Sequence, residues 1–197
     1  TRCTDACAFM RHYKSYPRKY LRTVYNNLSI AMGTRHANGM INACSLCGQC
    51  SNVCPFGLDL GQVIQKAREI MVSKEKMPQS AFDFALEDME FSNHECYLAS
   101  KERCQYVYFP GCQLSASTPE IVKDSYQDLC QRMDGTVGLI LGCCGIMAKW
   151  AGESKRYEET LEKLRDSMEG MGNAIDKVLS AEKSNRRFMS FSKLVKS

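Results

Sequence analysis

The sequence predicts a mostly helical α+β chain, with a helical, cysteine-rich segment over residues 1–95 and a small α/β segment over residues 96–197. Three observations predict it. Cysteines crowd into two stretches, around residues 3–7 and 44–54, with helical patterning between and after them. Apolar residues then recur at i, i+3, i+4, i+7 beyond residue 59, the period of a helix with one buried face. Only after residue 95 do short β-prone runs alternate with helical patterns, as in an α/β unit.

The elements follow in order. Residues 8–40 are polar and basic, and a helix is expected from Pro17 to about Met32, with Gly33 and Gly39 as breaks. Pro55 and Gly57 close the second cysteine stretch, and Asp59 is a good N-cap. Leu60, Val63, Ile64, Ala67, Ile70 and Met71 form the apolar stripe of the next helix. Another helix is expected from Ser80 to about Phe91. Tyr106–Phe109 reads as a strand and Pro110-Gly111-Cys112 as a tight loop. Thr118-Pro119-Glu120 reads as a helix start, with Ile121, Val122, Leu129, Cys130 and Met133 on its apolar face. Asp134-Gly135 turns the chain, and Val137–Leu141 is a second strand. The loop Gly142-Cys143-Cys144-Gly145 leads towards a charged helix from roughly Glu153 to Met171. Met71, Met77, Met89 and Met133 are read as core residues, and Trp150, close after that loop, as a core anchor or a shield for a site.

Composition narrows the chemistry. A hydrophobic share of 44% supports a core, and a net charge of +4 is too small to indicate a nucleic-acid partner. Twelve cysteines in 197 residues are the anomaly. A disulfide scaffold is usually short, secreted and loop-rich, whereas this chain is longer and helical and shows no signal-peptide pattern or membrane-spanning apolar run. A cytoplasmic chain whose reduced cysteines mostly ligate metal is the expectation. The chain opens on Thr1 rather than Met, which reads as a processed, trimmed or incomplete N-terminus.

Cys44-Ser-Leu-Cys47-Gly-Gln-Cys50-Ser-Asn-Val-Cys54-Pro55 is the run C-x-x-C-x-x-C-x-x-x-C-P. Three cysteines two residues apart wrap a short loop around a [4Fe–4S] cubane, so that each thiolate meets a different iron. Small residues at Ser45, Gly48 and Ser51 let backbone amides approach the cluster sulfurs. The fourth cysteine of such a run serves the other cluster of a pair. A zinc site usually takes two separated C-x-x-C pairs instead. Cys3 and Cys7 repeat the C-x-x-x-C spacing of Cys50 and Cys54 and look like the end of a second run. Cys7 then completes the cluster of Cys44, Cys47 and Cys50, while Cys3 and Cys54 serve a second cluster whose other ligands would lie upstream of Thr1.

Two such runs, followed by Phe109-Pro110-Gly111-Cys112 and Leu141-Gly142-Cys143-Cys144-Gly145, resemble the heterodisulfide reductase family. The resemblance makes residues 3–72 a dicluster ferredoxin-like segment and residues 106–152 the first half of a CCG cysteine-rich domain. It implies a noncubane iron–sulfur cluster or zinc at Cys112, Cys143 and Cys144. It also implies membership of a hetero-oligomeric, anaerobic redox complex with flavoprotein or other iron–sulfur subunits, cytoplasmic or membrane-associated through those subunits. The family's pattern continues with C-x-x-C, yet no cysteine follows Cys144, and residues 180–187 read Ser-Ala-Glu-Lys-Ser-Asn-Arg-Arg. That half is degenerate, lacks part of the native sequence, or is completed by a partner.

The expected role is therefore single-electron relay between a flavin or iron–sulfur donor and an acceptor subunit. The alternatives are disulfide reduction at a cluster on the CCG motif, and a zinc-dependent structural or nucleic-acid-binding module. No G-x-G-x-x-G follows a strand, so nucleotide or flavin binding is not expected here. Cys130 reads as core, Cys96 and Cys104 as surface or core thiols or else extra ligands, and His12, His36 and His94 lack ligand spacing. Arg11, Lys14, Arg18, Lys19 and Arg22 form a solvated face or a docking surface for an acidic partner.

Overall fold

The computed structural model describes residues 2–12, 17–29, 35–100, 102–171 and 177–180, with the side chains of 35–37 and 177–180 excepted. Met32, Gly33, Lys14, the side chain of His36 and residues 181–187, all named in the sequence reading, lie outside the described residues. The chain is mostly helical with a small sheet. It divides into two compact units, Thr1–Phe84 with Met147–Arg156 and Ala85–Ile146 with Tyr157–Ser197. The first division thus falls earlier than the change of character at residue 95, and a later segment joins the first unit.

The first unit is helical. Two short helices, α1 (Arg2–Ala6) and α2 (Ala8–His12), flank Cys7. The helix α3 (Pro17–Ser29) opens on Pro17, whose fixed φ suits a first helical turn, and buries Tyr20, Val24 and Asn27. No break occurs at Gly39, because α4 (Arg35–Asn42) runs through it with open space around its Cα. A short helix, α5 (Gln49–Asn52), follows the irregular stretch 44–48, and α1 packs against it.

The helix α6 (Leu60–Ser73) starts where Asp59 caps it, its carboxylate accepting from the Gln62 amide at 3.1 Å. That same carboxylate accepts from the Ser51 hydroxyl at 3.0 Å, which ties α5 to the start of α6. Both bonds, the Gln62 amide first, hold the Asp59 carboxyl below the usual carboxylate range. The buried stripe of α6 is Leu60, Ile64, Ala67, Arg68 and Met71, whereas Val63 faces solvent. These residues close a core with Met10, Tyr20, Val24 and Ile41. Each fully buried aliphatic side chain contributes about 1.5–3 kcal/mol. A 3-10 turn at Gln79–Ala81 and then α7 (Asp83–His94) follow.

The second unit is a small α/β layer structure. Its strands are β1 (Leu98–Ala99), β2 (Tyr106–Phe109), β3 (Val137–Leu141) and β4 (Lys177–Ser180). Their order is β1-β3-β2-β4, with β2 parallel to β3 and β4, and β1 antiparallel to β3. The connections run through α8 (Cys112–Ser117) and α9 (Pro119–Arg132), then α10 (Ile146–Ala151) and α11 (Ser154–Gly170). Strand alternation sorts the side chains onto two faces. Val107, Phe109 and Ile140 pack with Leu164 and Met168 of α11. Tyr108, Leu139 and Leu141 pack with Val122, Tyr126 and Leu129 of α9.

Thr118 does not cap α9 through its side chain; its hydroxyl turns back to the Leu114 carbonyl at 3.4 Å. The expected face of α9 is also narrower than its apolar residues suggest, since Ile121 and Cys130 are exposed. Sheet contact needs only one side of a helix that covers two strands. Trp150 is not a core anchor either, being 38% exposed.

Gly138 sits in β3 where a Cβ would stand 2.6 Å from the Cys104 sulfur and 3.3 Å from that of Met171. Both neighbours are buried. Gly138→Ala is therefore expected to lower the stability of the second unit by about 1–3 kcal/mol, read as a lower urea midpoint for β-sheet signal.

Candidate functional site

Local backbone shape places the first set of thiols. Cys3 lies on α1 and Cys7 just beyond it; Cys44 and Cys47 lie in the irregular stretch before α5; Cys50 lies on α5 and Cys54 in the turn after it. All of these are free thiols, half-buried except Cys47, which is exposed. Cys7, Cys44 and Cys50 pack against one core, and all three act electrostatically on the buried Tyr20. The structure thus brings Cys7, Cys44 and Cys50 into one neighbourhood, while Cys47 is exposed.

The backbone around these sulfurs is shaped to meet them. The Met10 amide donates to the Cys7 sulfur at 3.4 Å, and the Leu46 amide donates to that of Cys44. Leu46 has φ 54°, the left-handed region that costs a branched side chain energy. Burial pushes the Cys44 thiol up, against the opposing pull of the Leu46 amide and the Arg68 charge. Burial also raises Cys50, against its hydrogen bonds with Ser51. Tyr20 is raised by burial first and by the nearby sulfurs second, and its hydroxyl donates to the Met40 carbonyl at 3.0 Å.

Arg68 is the residue that sequence reading missed. It is 1% exposed, and its guanidinium donates to the carbonyls of Ile41, at 2.9 and 3.2 Å, Asn42, Cys44 and Trp150. Phe82 lies against it, 5.1 Å from ring centre to guanidinium carbon. The signal was present: Arg68 stands four residues after Ile64 and three before Met71, on the apolar stripe itself.

The second unit gathers the other thiols. Tyr108 pairs with Leu139 in the parallel register, and Cys112 and Cys143 each follow four residues later. They therefore leave the carboxyl ends of adjacent strands at the same level, where open α/β sheets bind ligands. Cys143 is buried and hydrogen-bonded to both Cys112 and Cys144. The Cys143 thiol is raised well above its ordinary range, first by the bond with Cys112, then by that with Cys144 and by burial. The same bonds pull Cys112 down to about 7 and Cys144 down to about 6.

Asn93 fixes the loop, its side-chain oxygen accepting from the Cys143 amide at 2.7 Å, while Lys163 donates to its carbonyl at 2.6 Å. Gly145 has φ +80°, and a Cβ there would stand 2.9 Å from that of Thr160 on α11. A glycine after the paired cysteines is thus required by both backbone and space. Outside the two groups, Cys104 is buried in the sheet core, and Cys96 and Cys130 are exposed.

Among the described residues, no group of three His, Cys, Asp or Glu side chains is placed to hold one metal ion. A cubane takes four thiolates on four separate irons, so its ligands stand further apart. The free thiols, the amides directed at sulfur and the strained Leu46 fit that larger group in the first unit.

Residues 1–59 match the family model described as a 4Fe-4S dicluster domain. That stretch contains all six thiols of the first set, and the match supports an iron–sulfur protein with [4Fe–4S] binding. Comparison with curated proteins and with solved structures returned no match. Among the described residues, no helix is long and apolar enough to cross a membrane.

Proposed function

We propose that this chain is the iron–sulfur electron-transfer subunit of a multi-subunit redox complex resembling heterodisulfide reductase. It relays single electrons between a flavin or iron–sulfur donor and an acceptor subunit. One observation carries the reading: Cys7, Cys44 and Cys50 share a core-lined neighbourhood whose remaining expected ligand, Cys47, is exposed. In this reading Cys7, Cys44, Cys47 and Cys50 hold one [4Fe–4S] cluster, and Cys3 and Cys54 supply thiolates to a second. Bound there, a cluster provides a one-electron store. The core side of the neighbourhood excludes water, and the exposed Cys47 side is the route by which a partner comes within reach.

Residues 1–95 form the cluster-bearing domain and residues 96–197 the CCG-type domain in this reading. Arg11, Arg18, Lys19 and Arg22 are exposed and offer an acidic redox partner a basic face. The complex works in the cytoplasm, with any membrane contact made through partner subunits.

The experiment is anaerobic reduction followed by mixing with a one-electron acceptor. Dithionite is expected to bleach the broad visible absorbance, and ferricyanide to restore it at about one electron per cluster. A chain that shows neither bleaching nor recovery would refute electron carriage.

A second reading is favoured by the hydrogen-bonded thiols of Cys112, Cys143 and Cys144. It makes the second unit a disulfide-reducing site, fed by electrons from the first. A noncubane cluster or zinc there needs donors beyond these three. Stoichiometric cleavage of a small aromatic disulfide by the dithionite-reduced, desalted protein, lost in Cys143→Ser, separates this reading from relay alone.

A further inference from the structure

We infer that the guanidinium of Arg68 is a built-in counter-charge for the thiolates around Cys44, and that it raises the reduction potential of the one cluster they hold. The inference rests on the cluster assignment proposed above and adds the residue that tunes it.

The surroundings of Arg68 leave its charge unbalanced. Arginine keeps its charge in proteins, and it is almost never fully buried without a partner. Arg68 is 1% exposed. Its N–H groups are satisfied by the carbonyls of Ile41, Asn42, Cys44 and Trp150, and Phe82 covers its face. Carbonyl oxygens supply hydrogen bonds but no net charge. Among the described residues, no carboxylate pairs with the guanidinium. A buried charge without a counter-charge is strongly disfavoured.

The ionisable groups that act on Arg68 are Cys44, then Tyr20. Tyr20 spends its hydroxyl on the Met40 carbonyl and is a neutral phenol. That leaves the Cys44 neighbourhood. A thiol is neutral, but a cysteine bound to iron is a thiolate, and four of them around a cubane leave a net negative group. The charge imbalance of the buried arginine is thus removed when the ring of Cys7, Cys44, Cys47 and Cys50 is ligated.

The connection is also direct, since the guanidinium donates a hydrogen bond to the backbone carbonyl of Cys44 itself. A fixed positive charge stabilises the more negative, reduced state of a nearby centre, and net charge and surroundings are among the factors that set cluster potentials. Arg68 is accordingly a positioning and tuning residue: it fixes the 41–44 backbone and biases one cluster.

The test uses the full chain purified anaerobically, with iron content and EPR-monitored redox titration of Arg68→Gln and Arg68→Lys. Arg68→Gln is expected to keep its iron and to lower the midpoint potential of one cluster signal, leaving any other unmoved. Arg68→Lys keeps the charge and is expected to stay near the parent potential. Equal potentials in the parent and both variants, or equal shifts in both variants, would overturn the inference. Should Arg68→Gln not accumulate folded, Asn42→Asp replaces it. Asn42 lends a backbone carbonyl to Arg68, and its own side-chain oxygen is buried with no partner. At a pH well above the carboxylate range this isosteric exchange offsets the charge and lowers the same potential; an unmoved potential would overturn the inference. A parent protein without iron would instead defeat the cluster assignment, so the two failures are distinct.

Discussion

Cys44→Ser is expected to remove one whole cluster from the first unit, about four iron atoms per chain, with the matching share of visible absorbance. Cys44 is half-buried, its sulfur takes the Leu46 amide, and its carbonyl is bound by Arg68. A serine hydroxyl ionises far less readily than a thiol and is a poor iron ligand, so near-identical size does not rescue ligation. Among the described residues, the thiols that act on Cys44 are Cys7 and Cys50, and both are themselves expected ligands. Cys96→Ser and Cys130→Ser are the controls. Both thiols are exposed and belong to neither group, and both variants should keep the parent's iron. Iron analysis with a visible spectrum checks all three, and unchanged iron in Cys44→Ser would remove Cys44 from the ligand set.

Stripping the clusters is expected to loosen the first unit and spare the second. The first unit draws its sulfur-bearing parts from distant sequence: α1 and the Cys7 turn, the irregular 44–48 stretch, and α5. Ligation closes that long loop, and a preformed ring of thiolates does not survive without its metal. The second unit has its own sheet and two apolar faces, which involve none of the first set of thiols. After cluster removal with chelator and oxidant, amide protection in α3, α4 and α6 should fall at least about a hundred-fold, or about 2.7 kcal/mol. Protection in β2, β3 and α11 should change little. Amide exchange followed by mass spectrometry reads both regions in one sample. Equal loss in the two units would mean that ligation is not local to the first.

Much of this was legible in the residues. The strands at Tyr106–Phe109 and Val137–Leu141 follow from β-prone runs that end at Pro110-Gly111 and at Gly142, and Asp59 caps its helix as a short acidic side chain should. The parallel pairing of those strands explains why Cys112 and Cys143 emerge together, which spacing alone suggested. The short helices at Arg2–Ala6, Cys112–Ser117 and Ile146–Ala151 were not legible, since one or two turns carry too little periodicity to register. Cys130 was misread because an apolar type on a helical stripe says nothing of how wide the partner surface is, and Trp150 because a large aromatic type alone does not place a side chain in the core. Arg68 was missed because a charged residue is read as solvated by default. Its burial depends on carbonyls from Ile41 and Trp150, which only the tertiary fold brings to it.

The central claim, that the first unit carries cubane iron–sulfur chemistry, is tested most directly by Mössbauer spectroscopy of the iron-57-enriched, anaerobically purified chain, alongside its iron and sulfide content. The predicted result is a quadrupole doublet of delocalised mixed-valence iron typical of oxidised [4Fe–4S], with equal iron and sulfide and at least one cluster per chain, reduced by dithionite to a paramagnetic state. Iron absent or mononuclear, or zinc in its place without inorganic sulfide, would contradict it.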